Sequence, residues 1–156
     1  MKKLTCALAF AAMLGVPAGA SAQLQAGPIL AYHTDFEDVG IGAFLDIPLA
    51  SVAGLSIAPS FIWYFPEAGS LFEVNGDAVY TFTVAADSPV EPFALAGINI
   101  VRRSVGSFSN TDVGLNLGGG VNFVAGSLSP FAGAKFEIQD GTGFVIFGGL
   151  GFAVGG

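Results

Sequence analysis

His33 is the one histidine of the chain, and Asp35, Glu37 and Asp38 follow it closely. An imidazole beside a carboxylate can act as a general base or as part of a weak metal site. A catalytic zinc needs three fixed protein ligands, and one histidine with acids on a turn does not supply them. No serine pairs with His33 in sequence, so the expectation is a solvated rim residue and no catalytic residue, cofactor or metal. Arg102 and Arg103 form the one adjacent cation pair outside the N-terminus, and two guanidinium groups can bind phosphate bidentately or anchor a chain at a membrane interface. Gly118-Gly119-Gly120 is followed by no helix pattern, so it is not a phosphate-binding loop.

The remaining chemistry-bearing residues are Lys135 and a set of acids that share its strand parity. The elements that position them are legible from composition. The chain has 156 residues, 53% of them hydrophobic and 11% charged. Lys2 and Lys3, the apolar run Leu4 to Val16 and the small-residue site Ala20-Ser21-Ala22 read as a cleaved export signal over residues 1–22. Pro17 and Gly19 break that run too early for a helical anchor, which needs about 20 apolar residues. Cys6, the only cysteine, leaves with the signal, so no disulfide is expected. Residues 23–156 then form one domain, with Arg102, Arg103 and Lys135 against twelve acids. That balance excludes a nucleic-acid partner, which needs a basic stripe.

No segment after the signal has 18 consecutive apolar residues, which excludes helical spans. The apolar residues are instead distributed by alternation. From Phe72 to Val84, Phe72, Val74, Gly76, Ala78, Tyr80, Phe82 and Val84 share one face, and Glu73, Asn75, Asp77, Thr81 and Thr83 share the other. Eight such runs are read: Leu24 to Tyr32, Val39 to Leu49, Leu55 to Phe65, Phe72 to Val84, Val90 to Arg102, Val113 to Phe123, Leu128 to Ile138 and Phe144 to Val154. In the fifth run the parity of Glu91, Gly97, Asn99 and Arg103 is taken as inward. Glycine, at 23 residues, suits tight turns and crowded barrel interiors. An oily outer face and a small, hydrophilic inner face are what a barrel standing in lipid requires. The expected fold is all-β: an eight-stranded antiparallel up-and-down transmembrane β-barrel. An even strand count places both termini on the periplasmic side, and the longest connection, Ser104 to Thr111, then falls on the outer side.

Aromatic positions form two groups. Tyr32, Phe61, Trp63, Phe65, Phe72, Phe136 and Phe144 gather toward the outer rim, and Tyr80, Phe82, Phe123 and Phe152 toward the inner rim, as two interfacial belts would. Inside, eight strands leave room only for side chains. Enclosed charges must be paired, so Lys135 is expected to reach Glu73 or Asp77 across the lumen with Glu137 nearby, while Asn75, Asn99, Asn116 and Asn122 complete the hydrogen bonds. The expected polar network is thus Glu73, Asn75, Asp77, Asn116, Lys135 and Glu137.

The signal ending at Ala22, the alternating hairpins, the Glu91-Pro92-Phe93-Ala94-Leu95-Ala96-Gly97 strand, the Gly118-Gly119-Gly120 strand and the Gly- and Phe-rich final strand carry a resemblance. The chain resembles the small eight-stranded outer-membrane β-barrel family, which includes OmpX-, OmpW- and opacity-type proteins. The resemblance implies an outer-membrane location and assembly by the barrel assembly machinery. Members usually end in an aromatic residue, whereas here Phe152 is followed by Ala153-Val154-Gly155-Gly156. The expected function is a non-enzymatic, monomeric integral barrel with a structural or surface-interaction role, in contact with outer-membrane lipids and, through Arg102 and Arg103, lipopolysaccharide. The alternatives are a narrow channel for ions or small solutes and an exported soluble barrel that binds an apolar ligand.

Overall fold

The structure is a computed structural model that describes residues 23–155. The export segment 1–22, its cleavage point and Gly156 lie outside the described residues. The strands are β1 (Gln25–His33), β2 (Asp38–Pro48), β3 (Leu55–Tyr64), β4 (Ser70–Thr81), β5 (Val90–Val105), β6 (Phe108–Phe123), β7 (Leu128–Ile138) and β8 (Thr142–Ala153). Each pairs antiparallel with its sequence neighbours, and β1 pairs with β8 to close the barrel. The β1 start and the β8 end share one rim, the terminal rim. The opposite one is the far rim.

Closure satisfies the backbone without edges, and the pleat then sorts side chains by parity. On β4, Glu73, Asn75 and Asp77 are buried, while Phe72, Val74 and Ala78 alternate with them on the outer face. On β6, Leu115 and Leu117 face outward at 57% and 56% exposure, and Asn116 between them is 2% exposed. Leu30, Ile41, Phe61, Ile98, Phe136 and Ile146 extend the same apolar surface onto β1, β2, β3, β5, β7 and β8. Such a girdle far exceeds the few hundred Å² of apolar patch that a water-soluble monomer exposes.

Two expectations about strand ends are corrected. β4 ends at Thr81, so Phe82 to Val84 belong to the following turn. The stretch Ser104 to Thr111 is not a long loop. β5 and β6 continue through it as a hairpin in register from Ser104↔Ser109 to Val105↔Phe108, turning on Gly106 and Ser107 alone. The apolar pair Val105 and Phe108 extends the alternation past the polar cluster read as a loop. The longest connection is residues 82–89, on the terminal rim. A two-residue hairpin turn demands positive φ, and Gly106 sits at φ 61° with nothing within 4 Å of where a Cβ would stand. Gly106→Ala should therefore lower stability by about 1–2 kcal/mol through backbone strain alone, read as a shift in urea midpoint with no change in the folded spectrum.

Candidate functional site

The enclosed space divides into three layers. Five strands supply the middle one, a polar plug. β4 projects Glu73, Asn75 and Asp77 at every second residue, and β7 projects Lys135 and Glu137 from the opposite wall. Lys135 Nζ donates to Glu73 Oε1 at 2.7 Å and to Asn75 Oδ1 at 2.7 Å, and it stands 2.9 Å from Glu137 Oε1. Tyr64 Oη donates to the second oxygen of Glu73 at 3.0 Å. Asn116 Nδ2 donates to Asn75 Oδ1 at 2.8 Å and Asp77 Oδ1 at 2.7 Å. Asn99 Nδ2 donates to Asn116 Oδ1 at 2.5 Å, and Gln139 Nε2 to Asn99 Oδ1 at 2.7 Å. Asn75 Nδ2 donates to Ser60 Oγ at 3.2 Å. Side chains separated by up to 62 residues in sequence thus cross-link β3 through β7 inside the barrel.

Glu73 is fully buried, and Glu137 is 2% exposed. Glu73 receives directed hydrogen bonds on both oxygens. Neither Glu137 oxygen accepts one of good geometry, so that carboxylate is held by charge, between the Lys135 ammonium and the His33 ring. One ammonium thus serves two enclosed carboxylates, with Asp77 on Asn116. Such an arrangement is costly to break, because truncating one partner leaves the others buried and unpaired.

His33 is not a solvated rim residue: it is 3% exposed. The β1 parity turns it inward, Phe36 stacks on it with ring centroids 4.1 Å apart, and Tyr64 meets it edge-on at 6.1 Å. The backbone N–H of Asp35 donates to His33 Nδ1 at 3.3 Å. That leaves Nε2 as the ring N–H, facing Glu137 Oε2 at 3.5 Å. Above it, at the far rim, is a cavity of about 300 Å³ whose walls include Asp35, Asp112, Gln139 and Asp140. Among the described residues no group of three His, Cys, Asp or Glu side chains has the geometry to hold a metal ion.

The lumen is not hydrophilic throughout, as the sequence reading held. Below the plug, Phe44, Phe93, Phe131 and Phe147 point inward with Ile29 and Leu95. Phe44 meets Phe131 edge-on at 4.9 Å, and Phe147 lies 6.3 Å from Phe131 and 6.5 Å from Phe93. Each ring lies over a glycine of the neighbouring strand in register: Phe44 on Gly27, Phe93 on Gly120, Phe131 on Gly149 and Phe147 on Gly133. A Cβ at Gly120, Gly133 or Gly149 would stand within 2.7 Å of its ring. The rings surround a chamber of about 90 Å³ that Asp46, Asp77, Asn122 and Lys135 also line. Asn122, expected in the hydrogen-bond network, lies here instead. The sequence signal that locates Phe131 and Phe147 is strand parity, Phe131 with Lys135 and Glu137 and Phe147 with Gly149 and Gly151.

The aromatic residues sit on the outer surface in two sets. Near the far rim, Phe72 lies 5.8 Å from Phe61 and 6.3 Å from Trp63, and Phe136 lies 5.2 Å from Phe144. Tyr32 and Phe65 are exposed at the same level. Near the terminal rim, Tyr80 and Phe82 meet at 5.2 Å, and Phe123 and Phe152 are exposed. Phe152 pairs with Ala26 and Leu128 at the barrel seam. Arg102 and Arg103 do not form one clamp, because consecutive strand residues point to opposite faces. Arg102 has the outward parity, cross-strand from Phe72. Arg103 takes the inward parity, its guanidinium carbon 4.3 Å from the centre of the Phe36 ring.

No family model and no curated protein sequence matches the chain. Solved structures do. The chain is similar to the N-terminal β-barrel domain of Pseudomonas aeruginosa OprF (TM-score 0.72, 14% identity, 85% of this chain and 97% of that one). It is similar to Neisserial surface protein A (TM-score 0.60, 16% identity, 85% and 95%). It is also similar to the outer membrane enzyme PagL (TM-score 0.54, 14% identity, 83% and 99%). The fold is that of the small eight-stranded outer-membrane barrels, and it is shared by at least one enzyme.

Proposed function

We propose that the chain is a non-enzymatic integral barrel of the outer membrane with a structural or surface-interaction role, its terminal rim toward the periplasm. The observation that carries this reading is the apolar girdle bounded by aromatic sets near both rims, wrapped around a lumen closed by a buried ion-paired plug. In water that girdle would aggregate, while in a bilayer it is the low-energy surface. The chemistry of the interior supports the non-enzymatic part. Among the described residues His33 contacts Glu137, the Asp35 N–H, Phe36 and Tyr64, and no serine or threonine hydroxyl is bonded to it. Arg102, beside Phe72 at the far rim, is placed to reach lipid phosphates, which makes lipopolysaccharide the expected contact of that residue alone. A monomer delivered by the barrel assembly machinery fits a closed sheet with no unpaired seam.

The test is the electrophoretic mobility of unheated against boiled protein extracted from membranes. A compact fast-migrating form that slows on boiling, found in the membrane pellet, is expected. A protein that stays in the periplasmic supernatant would overturn the assignment. The cavities on either side of the plug favour a second reading, a narrow ion path. The plug argues against it, because Lys135 is bonded to Glu73 and Asn75 and ion-paired with Glu137, which leaves no mobile charge. Planar-bilayer recordings should show no stable current steps. Reproducible steps abolished by Glu137→Gln would establish the channel instead.

A further inference from the structure

The chamber below the plug has features that a mere packing layer does not need. Its walls are rings and aliphatic side chains, yet two carboxylates open onto it, Asp46 beside the terminal rim and Asp77 beneath the plug. Asp46 Oδ1 is buried and has no hydrogen-bond partner among the described residues. A buried acceptor left unpaired costs free energy. The one cation lining the chamber is Lys135, whose Nζ is turned to Glu73, Asn75 and Glu137 at 2.7, 2.7 and 2.9 Å and bonds to neither Asp46 nor Asp77. Two of its N–H groups are bonded to Glu73 and Asn75, and the ammonium is ion-paired with Glu137. The chamber is therefore net negative and largely apolar-walled, with Ser60, Thr81 and Asn122 as its neutral polar groups and one Asp46 oxygen left unpaired.

We propose that this chamber binds a small organic cation, a primary ammonium on a short apolar body, entering from the terminal rim. The ammonium pairs with Asp46, filling the missing donor. The body lies against Phe44, Phe93, Phe131 and Phe147, whose faces attract cations as well as hydrocarbon. The plug closes the upper end, so the ligand is held and not passed through. At about 90 Å³ the space is smaller than the engineered 150 Å³ apolar cavity that takes benzene, which sets the whole ligand at about three to five non-hydrogen atoms. A neutral ligand of the same shape fits the walls but leaves Asp46 charged and desolvated. An anion is repelled by both carboxylates. The four ring-on-glycine pairs hold the walls apart and keep the chamber open, which is why it is a site and not a packing defect.

The experiment uses the folded barrel in lipid nanodiscs and saturation-transfer NMR, with empty nanodiscs subtracted. The probe is isobutylammonium chloride, and its neutral counterpart is isobutanol. Saturable transfer to the ammonium with at least tenfold weaker binding of the alcohol is expected. Asp46→Asn should weaken ammonium binding about tenfold, and Ala58→Leu, which adds bulk to the chamber wall, should abolish it. Equal binding of amine and alcohol by the unaltered protein, or no saturable binding of either, overturns the proposal without recourse to any variant. So does undiminished binding by both variants when their unheated gel mobility shows a closed barrel. The gel mobility of the unaltered protein separates failure of this site from failure of the membrane reading.

Discussion

Replacing Lys135 by methionine should lower the stability of the barrel by about 3–5 kcal/mol, the usual cost of removing one partner from a buried ion pair. The methionine preserves most of the side-chain volume, so the loss is electrostatic rather than a cavity effect. Without the ammonium, Glu73 at 0% exposure and Glu137 at 2% face a chamber of amides with no cation nearer than the rim. Tyr64 still donates to Glu73, but one hydroxyl does not offset a desolvated carboxylate. The measurement is the fraction of fast-migrating protein remaining after heating in detergent across a temperature series. The triple variant Glu73→Gln, Lys135→Met, Glu137→Gln should regain most of the loss, because it removes the unpaired charges together. A single Lys135→Met variant with the parent's midpoint would show that the plug contributes nothing to stability. A triple variant no better than the single would assign the loss to packing instead of charge.

The barrel and the plug were legible in the sequence for one reason. A strand has a period of two, so any residue of known face fixes the face of all its neighbours. On β4, Phe72, Val74 and Tyr80 face out with the aromatic and aliphatic set, and Glu73, Asn75 and Asp77 are then necessarily inside. β5 carries apolar residues at either parity, and Glu91, Gly97, Asn99 and Arg103 together decide it. Three features were not legible, each because it depends on more than one strand. Burial of His33 comes from Phe36 folding back from the β1–β2 turn, a contact that periodicity does not describe. The β5–β6 hairpin reads as a loop because Ser104, Ser107, Ser109, Asn110 and Thr111 are polar in both parities and outweigh Val105 and Phe108, and only pairing across the strands makes them an extension. The aromatic chamber was hidden because Phe147 and Phe131 look like further lipid-facing residues by type. Their inward placement follows from parity with Lys135 on β7 and Gly149 on β8, but the seating of each ring on a glycine of the neighbouring strand is a matter of register in the closed sheet.

A second substitution tests the girdle itself. Leu117→Arg should destabilise the barrel by about 1–3 kcal/mol when it folds into lipid vesicles, between the cost of a cation at the bilayer midplane and that at its interfaces. Leu117 is 56% exposed, so an arginine there meets no protein obstacle, and any penalty comes from the surrounding medium. It stands six residues above Phe123, the inner-rim aromatic of the same strand, which is about 20 Å along the strand. At a tilt of about 40° that is about 15 Å of height, inside an apolar band about 25 Å tall but on the far-rim side of its middle, because Leu117 pairs with Phe136. In water the same change would sit on an exposed surface and shift stability by no more than about 0.5 kcal/mol. Phe108→Arg supplies the internal comparison. Phe108 is 82% exposed at the tip of the β5–β6 hairpin, beyond the aromatic set of the far rim, and arginine there should cost nothing measurable. The difference between the two variants, read from urea titrations of vesicle-embedded protein, isolates the medium from the residue. If Leu117→Arg and Phe108→Arg lie together within about 0.5 kcal/mol of the parent, the face that carries Leu30, Ile41, Leu115 and Ile146 is not lipid-facing. The apolar girdle would then require another cover.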